Sequence, residues 1–357
     1  MMRVTLTALV LAGLCGPIAA RAETTTRFYA PAGAGQALTI RSTTDLATMR
    51  PLVEDFQAAR PDVSVTYVEH LTNELNELAA SACRDGRPLA DLLISSSADH
   101  IVKLVNDGCG REHVSPATRR APAYANWRNT AYGFTFEPAV IVYDRRAVPA
   151  EDVPHTRLEL VSLLRDKAER YRGAVGTYDI VTSGIGYLFA AMDAKQSSTY
   201  GRLIEAFGRS GTQLSCCTGD ILDAIEQGRL KIGYNLLGSY AYRRLKAGAP
   251  IGIVLPRDYV LVLTRAVMLP RVAENGDMGA AFLDYLLSER GQRAVAEQSF
   301  HFAAGRPVPD GIEAPTADNA ASVFRPIAIG PGLIAIQDQA KRRKVLSEWN
   351  ASMSREP

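Results

Sequence analysis

Thr182-Ser183-Gly184-Ile185-Gly186 stands between a strand-like segment, GAVGTYDI, and a helix-like one, YLFAAMDA. At such a junction the first N–H groups of the helix lack intrahelical partners, and the helix dipole draws an anion to that end. Glycines let a guest approach the backbone, and Ser183 adds a hydroxyl. The plainer reading is that Ser183 caps its own helix. Two further hydroxyl runs, Ser42-Thr43-Thr44 and Ser95-Ser96-Ser97, end the strand-like segments ALTIRS and ADLLIS. Hydroxyls and amides converging from these three places suit a carboxylate, a phosphate or a polyhydroxylated ligand.

Cys216-Cys217-Thr218 lies at another strand-to-helix junction, TQLSCC before TGDILDAIEQG, with Thr218 or Asp220 as the expected cap. Adjacent cysteines can close on one another, hold a soft metal or sense redox state. The plainest reading is one buried thiol and one bystander at the cleft. No other Cys or His stands at a metal-ligand spacing nearby, so no zinc site is expected. Cys217, Thr218, Tyr234, Asn235, Ser239 and Tyr240 complete the candidate binding set. Arg243, Arg244, Arg257, Asp258 and Tyr259 are weaker candidates. Catalysis finds no support: there is no Gly-x-Ser-x-Gly and no His-Glu-x-x-His, and the five histidines are scattered. GAGQ near Gly33 precedes a strand instead of following one, so it is no dinucleotide loop. No cofactor and no bound metal are expected.

What must position these residues is an alternation of strands and helices. ALTIRSTTD, LATMRPLVEDFQAARP, VSVTYVE, ELNELAASAC, ADLLISSS and DHIVKLVNDG read alternately as strand and amphipathic helix. Repeated units of this kind predict a parallel sheet covered on both faces, whose ligands sit beyond the strands' carboxyl ends. A polar leader, about 23 to 36, precedes them. YGFTFEPAVIVYDRRAVP and IGIVLPRDYVLVLTRAVMLP read as two β-rich crossings that bracket a second strand–helix unit. The expected division is a first lobe of residues 37–135 and 265–357, with a C-terminal helical cap, and a second lobe of 136–264. Two lobes joined twice form a hinge that closes around a ligand.

The chain has 357 residues, 47% of them hydrophobic and 22% charged, which suits a globular protein. Residues 1–22 read as a signal peptide: Arg3, an apolar run too short to span a bilayer, and a small-x-small site at Ala20-Arg21-Ala22. Leu14 before Cys15 is too bulky for a lipobox. An exported, periplasmic protein is expected. Without Arg3 and Arg21 the 40 basic residues become 38, against 38 acidic ones, so the basic excess of a nucleic-acid binder is missing. In an oxidising compartment the remaining cysteines can pair. Cys83 and Cys109, each ending a predicted helix, are the first choice, against two separate buried thiols.

LATMRPLVEDFQAARPDVSVTYVE, ADLLISSS, GFTFEPAVIVYDRR, DAIEQGRLKIGYN and AAFLDYLLSERGQRAVAEQ together resemble the extracellular solute-binding proteins of ABC importers, in the branch with ferric-iron, phosphoglycerate and sugar-phosphate binders. The resemblance implies an α/β, two-lobed periplasmic-binding-protein (Venus flytrap) fold with a two-strand hinge. It also implies a monomer that holds a small anionic or polar metabolite and delivers it to a membrane ABC permease. Presentation to a sensor histidine kinase, or binding of ferric or soft metal through Cys216, Cys217 and Tyr240, are its alternatives. Ferric-binding members carry two adjacent tyrosines where this chain reads GSYAYRR, so Tyr240 matches the second and Ser239 replaces the first. One phenol and a serine make a poor donor set for so hard a cation.

Overall fold

The computed structural model describes residues 24–33, 35–297, 311–315 and 323–354, so the expected signal segment lies outside them. The first sheet holds β1 (Thr24–Phe28), β2 (Gln36–Ser42), β3 (Val63–Glu69), β4 (Leu92–Ser95), β5 (Asn126–Trp127) and β6 (Ala131–Gly133). The second holds β7 (Glu137–Asp144), β8 (Val175–Tyr178), β9 (Gln213–Ser215), β10 (Ile232–Leu237), β11 (Ile251–Val254) and β12 (Val260–Leu263). β13 (Ala266–Met268) returns to the first sheet, giving the order β1-β3-β2-β4-β13-β6-β5. The last strands, β14 (Ile312–Glu313) and β15 (Phe324–Pro326), join the second, whose main path runs β14-β11-β7-β10-β8-β9.

Only part of each sheet is parallel. β3, β2 and β4 run together in the first and β10, β8 and β9 in the second, while the crossing strands β13 and β7 lie antiparallel beside them. Alternation sets the faces: Leu38, Ile40 and Ser42 of β2 and Val63, Val65 and Tyr67 of β3 are buried. β4 is buried on both faces because helices cover each side.

The helices are α1 (Leu46–Ala59), α2 (Thr72–Arg84), α3 (Ala98–Asn106), α4 (Arg157–Asp166), α5 (Ala168–Tyr171), α6 (Gly184–Gln196), α7 (Tyr200–Ser210), α8 (Thr218–Glu226) and α9 (Gly238–Lys246). Then come α10 (Gly276–Leu287), α11 (Glu289–Glu297), α12 (Pro331–Ile336) and α13 (Gln339–Met353). None is long and apolar enough to cross a membrane. α6 is buried from Gly184 to Asp193 on every side, as a helix apolar all round must be. It packs on β8 of its own lobe and on α2 and α3 of the other.

The chain crosses from the first sheet to the second at 134–136 and back at 264–265, and these two crossings are bonded together; β14 and β15 then lie in the second sheet again. Thr135 N–H donates to Thr264 Oγ1 at 3.3 Å, and Arg265 N–H to Thr135 Oγ1 at 2.8 Å. Two lobes joined by a two-strand hinge result.

Two expectations need correction. The leader is not merely polar, because Thr24 to Phe28 pairs antiparallel with β3 along its whole length. The C-terminal segment does not cap the first lobe alone. β14 pairs with β11 and β15 with β12, and α13 lies on α7 of the second lobe. A Cβ on Gly208 would sit 1.9 Å from Ser352 O, so only glycine allows that helix contact. Ile329 and α12 reach back: Ile329 N–H donates to Tyr124 O at 2.7 Å, and α12 packs on α3, with Gln337 hydrogen-bonded to Asp99.

Candidate functional site

Between the lobes, against the hinge, lies a cleft of about 380 Å³. Helix N-termini from both sides open onto it: Asp45, Leu46 and Ala47 of α1 and Leu71, Thr72 and Glu74 of α2 from the first lobe. From the second come Thr182, Ser183 and Ile185 of α6, Cys216 to Asp220 of α8, and Leu237 and Tyr240 of α9. Each presents first-turn amides without intrahelical partners, and each brings the positive end of a dipole.

Of the residues singled out in the sequence, Thr43, Ser96, Thr182, Ser183, Ile185, Cys216, Cys217, Thr218, Tyr240 and the weaker candidate Arg244 line this cleft. Thr43 Oγ1 accepts from Ser96 N–H at 2.9 Å, which fixes the two hydroxyl runs side by side. Ser183 does cap its own helix, accepting from Gly186 N–H at 3.3 Å. Gly184 N–H donates to Thr72 Oγ1 of the opposite lobe at 2.8 Å, leaving Ile185 as the first-turn amide with neither of these partners. α8 has no side-chain cap; its N-cap is Cys217, not Thr218 or Asp220. Thr218 Oγ1 is tied instead to the Tyr178 hydroxyl.

The remaining candidates lie off the cleft because other groups claim them. Ser42 Oγ accepts from Thr44 N–H, and Thr44 Oγ1 from Arg265. Ser95 Oγ accepts from Ser97 N–H, and Ser97 Oγ donates to Asp99. Gly184 and Gly186 give their amides to Thr72 and Ser183. Tyr234 and Asn235 both donate to the buried Asp193, which also pairs with the buried Arg157 at 3.2 Å. Arg157 in turn holds Asp258 at 3.0 Å and lies 3.5 Å from the Tyr259 ring centroid, so that expected cleft edge is an internal scaffold. Ser239 donates to Glu137 and turns away from any ligand set with Tyr240.

Sequence reasoning missed Arg265, Asp45, Glu69, His70, Thr72, Glu74 and Asp223, and named Asp220 only as a helix cap. Arg265 is the floor. Its guanidinium forks onto Glu137 at 2.8 and 3.1 Å and donates to Thr44 Oγ1 at 2.7 Å. Burial disfavours its charge, but the Glu137 carboxylate, together with the Tyr240 oxygen and Asp45, more than offsets this and holds the group protonated. The same burial pushes the Tyr240 phenol up to about 12, with Arg265 acting against it. The carboxylates serve the helix ends. Glu69 accepts from Leu46 N–H at 2.7 Å, Glu74 from Leu71 N–H at 3.3 Å, and Asp223 pairs with Arg244 at 2.6 Å.

The lobes touch. Asn73 Nδ2 donates to Val181 O and Thr182 O at 3.2 and 2.9 Å, and Asp45 N–H donates to the Tyr240 oxygen at 3.4 Å. Arg243 reaches Thr48 across the gap. Disulfides join Cys83 to Cys109, between α2 and α3, and Cys216 to its neighbour Cys217. The second pair overturns the reading of a buried thiol beside a bystander.

The family model described as bacterial extracellular solute-binding protein matches residues 38–301. The chain belongs to the bacterial extracellular solute-binding protein family. This solute-binding protein is similar to the crystal structure of the substrate-binding protein of an ABC transporter from Agrobacterium tumefaciens. The two are 34% identical, with a TM-score of 0.86, over 93% of this chain and 99% of that one. It shares its fold with AfuA from Actinobacillus pleuropneumoniae, solved with fructose-6-phosphate, at 14% identity and TM-score 0.72, over 90% of this chain and 99% of that one. It shares it too with iron-bound HitA from Pseudomonas aeruginosa, at 17% identity and TM-score 0.65, over 89% and 99%. No curated protein matches the chain.

Proposed function

We propose that this solute-binding protein captures a small hydroxylated anion, phosphorylated or carboxylated, between its lobes and presents the closed form to a membrane ABC importer. One observation carries the reading: five helix N-termini, from both lobes, open onto a single cleft. Their amides and dipoles are matched to a phosphate or carboxylate without any need for an excess of basic side chains. Asp45, Glu69 and Glu74 on the facing wall are acceptors for ligand hydroxyls, which favours a polyol or hydroxy acid carrying the charge over a bare inorganic anion. Contacts to both lobes exist only when the gap is shut, so the guest binds that form better and shifts the population toward it.

Thermal-shift screening of the purified protein against phosphorylated sugars, hydroxy acids, inorganic phosphate and neutral sugars tests this. A true solute at about 100 times its Kd adds roughly 2.7 kcal/mol by mass action. Stabilisation by neutral sugars or by cations, with none from the anions, would refute the ligand class.

A further inference from the structure

We propose that reduction of the Cys216–Cys217 disulfide turns the lip of the cleft into a site for a thiophilic divalent cation, held by both thiolates and the Asp220 carboxylate. The two sulfurs and a carboxylate oxygen lie within 4.8 Å of one another, and among the described residues no other three His, Cys, Asp or Glu ligand atoms come so close. Asp220 Oδ2 is 3.4 Å from Cys216 Sγ. While the disulfide stands neither sulfur carries a proton, so this is a contact and not a hydrogen bond. All three residues lie on the wall of the cleft, within reach of solvent.

The third donor escapes a search for Cys and His spacing because it is a carboxylate on the first turn of α8. Cys217 is the N-cap and Asp220 the third helical residue, positions that face each other in any helix of this hand. No side chain caps α8, so its dipole acts on the Cys217 sulfur and favours a thiolate there.

The chemistry balances. A dithiol reductant gives two electrons and two protons; the Cys216–Cys217 bond breaks, each sulfur takes a proton, and the reductant closes its own disulfide. An incoming cation then displaces the two thiol protons to solvent. Two thiolates and a carboxylate are three tetrahedral donors, leaving a fourth position for water. Thiolates select zinc-like or cadmium-like cations over magnesium and calcium. In the oxidised protein the donors are absent, so redox state decides whether the site exists.

The test titrates Cd²⁺ into the purified protein, either fully oxidised or reduced with a limiting dose of phosphine, removed under inert gas, at which thiol labelling finds Cys216 and Cys217 free and Cys83–Cys109 still paired. The readouts are calorimetry and the ultraviolet sulfur-to-cadmium charge-transfer band. A single Cd²⁺ should bind the reduced protein and none the oxidised one. The double variant Cys216→Ser, Cys217→Ser, which keeps the Cys83–Cys109 pair, should show no band after reduction. Asp220→Asn should lose at least the roughly 10–100-fold in affinity that removing an outer-shell partner costs. Equal binding in both redox states, no binding after reduction, a persisting band in the double variant, or an unaltered Asp220→Asn affinity would each overturn the site. The comparison of redox states in the unmutated protein stands even where a variant folds poorly.

Discussion

Adding one methyl group at Gly184 should prop the lobes apart without harming either of them. A Cβ there would sit 2.5 Å from His100 Cε1, 2.6 Å from Ser97 Oγ and 3.0 Å from Asn73 Oδ1, all three on the opposite lobe. Carbon atoms settle at about 3.5–4.0 Å, so the gap must widen by roughly 1 Å at this point. Overpacking of this kind costs about 1–3 kcal/mol. Opening removes all three neighbours, so the cost falls on the closed form alone. Its population should drop by about 5–150-fold, and the apparent affinity for the captured solute by the same factor. Alanine is also the better helix former, by up to about 1 kcal/mol, so the free protein should melt no lower. Calorimetry with the solute found by screening gives the affinity, and small-angle X-ray scattering gives the compactness of the free and loaded forms. Affinity and scattering equal to the parent's, or a plain fall in melting temperature, would refute the claim that Gly184 is a closure contact.

Three other perturbations follow the same logic. Thr72→Val removes the acceptor of the Gly184 N–H; the unliganded closed form should lose about 0.5–1.5 kcal/mol, read as faster hydrogen exchange at that amide, and unchanged exchange would count against it. Glu137→Gln leaves the buried Arg265 charge without its counter-ion, and denaturant titration should show a loss of about 3–5 kcal/mol; a loss near zero would mean that the hinge pair is not coupled to folding. Burial holds the His100 imidazole below its ordinary value, with Asp99 and Glu77 acting against this and Arg342 with it. The folded protein therefore binds fewer protons than the unfolded chain just below pH 6.5, so the stability His100 contributes is present above that pH and is lost as pH falls through the depressed value. Melting curves of His100→Gln should be flatter over that acid window than the parent's, and parallel curves would refute the assignment.

The lobes and their hinge were legible because the strands that build them are long or continuously apolar. GFTFEPAVIVYD and VLVLTRAVM announce the crossings by β-branching and burial. The hydroxyls at strand ends pointed to the right region, yet alternate members of each run turn inward, as Ser42 and Thr44 do while Thr43 faces the cleft. Arg265 could not be read in advance: its role comes from Glu137 and Thr44, respectively 128 and 221 residues away in sequence. β14 and β15 span two and three residues, too short for any periodicity, so their membership of the second sheet depends wholly on partners. Tyr234 and Asn235 looked like ligand groups because nothing local shows the buried Asp193 that claims them.

The tail beyond residue 311 ties the molecule in a way the hinge strands do not. Its strands and last helix are stitched to one half while α12 rests on α3 of the other. Any swing of the halves must either pivot close to α12 or slide it along α3. The tail is therefore a tether that limits the arc, and the widest gape available to an arriving solute is set by the seat of α12 on α3.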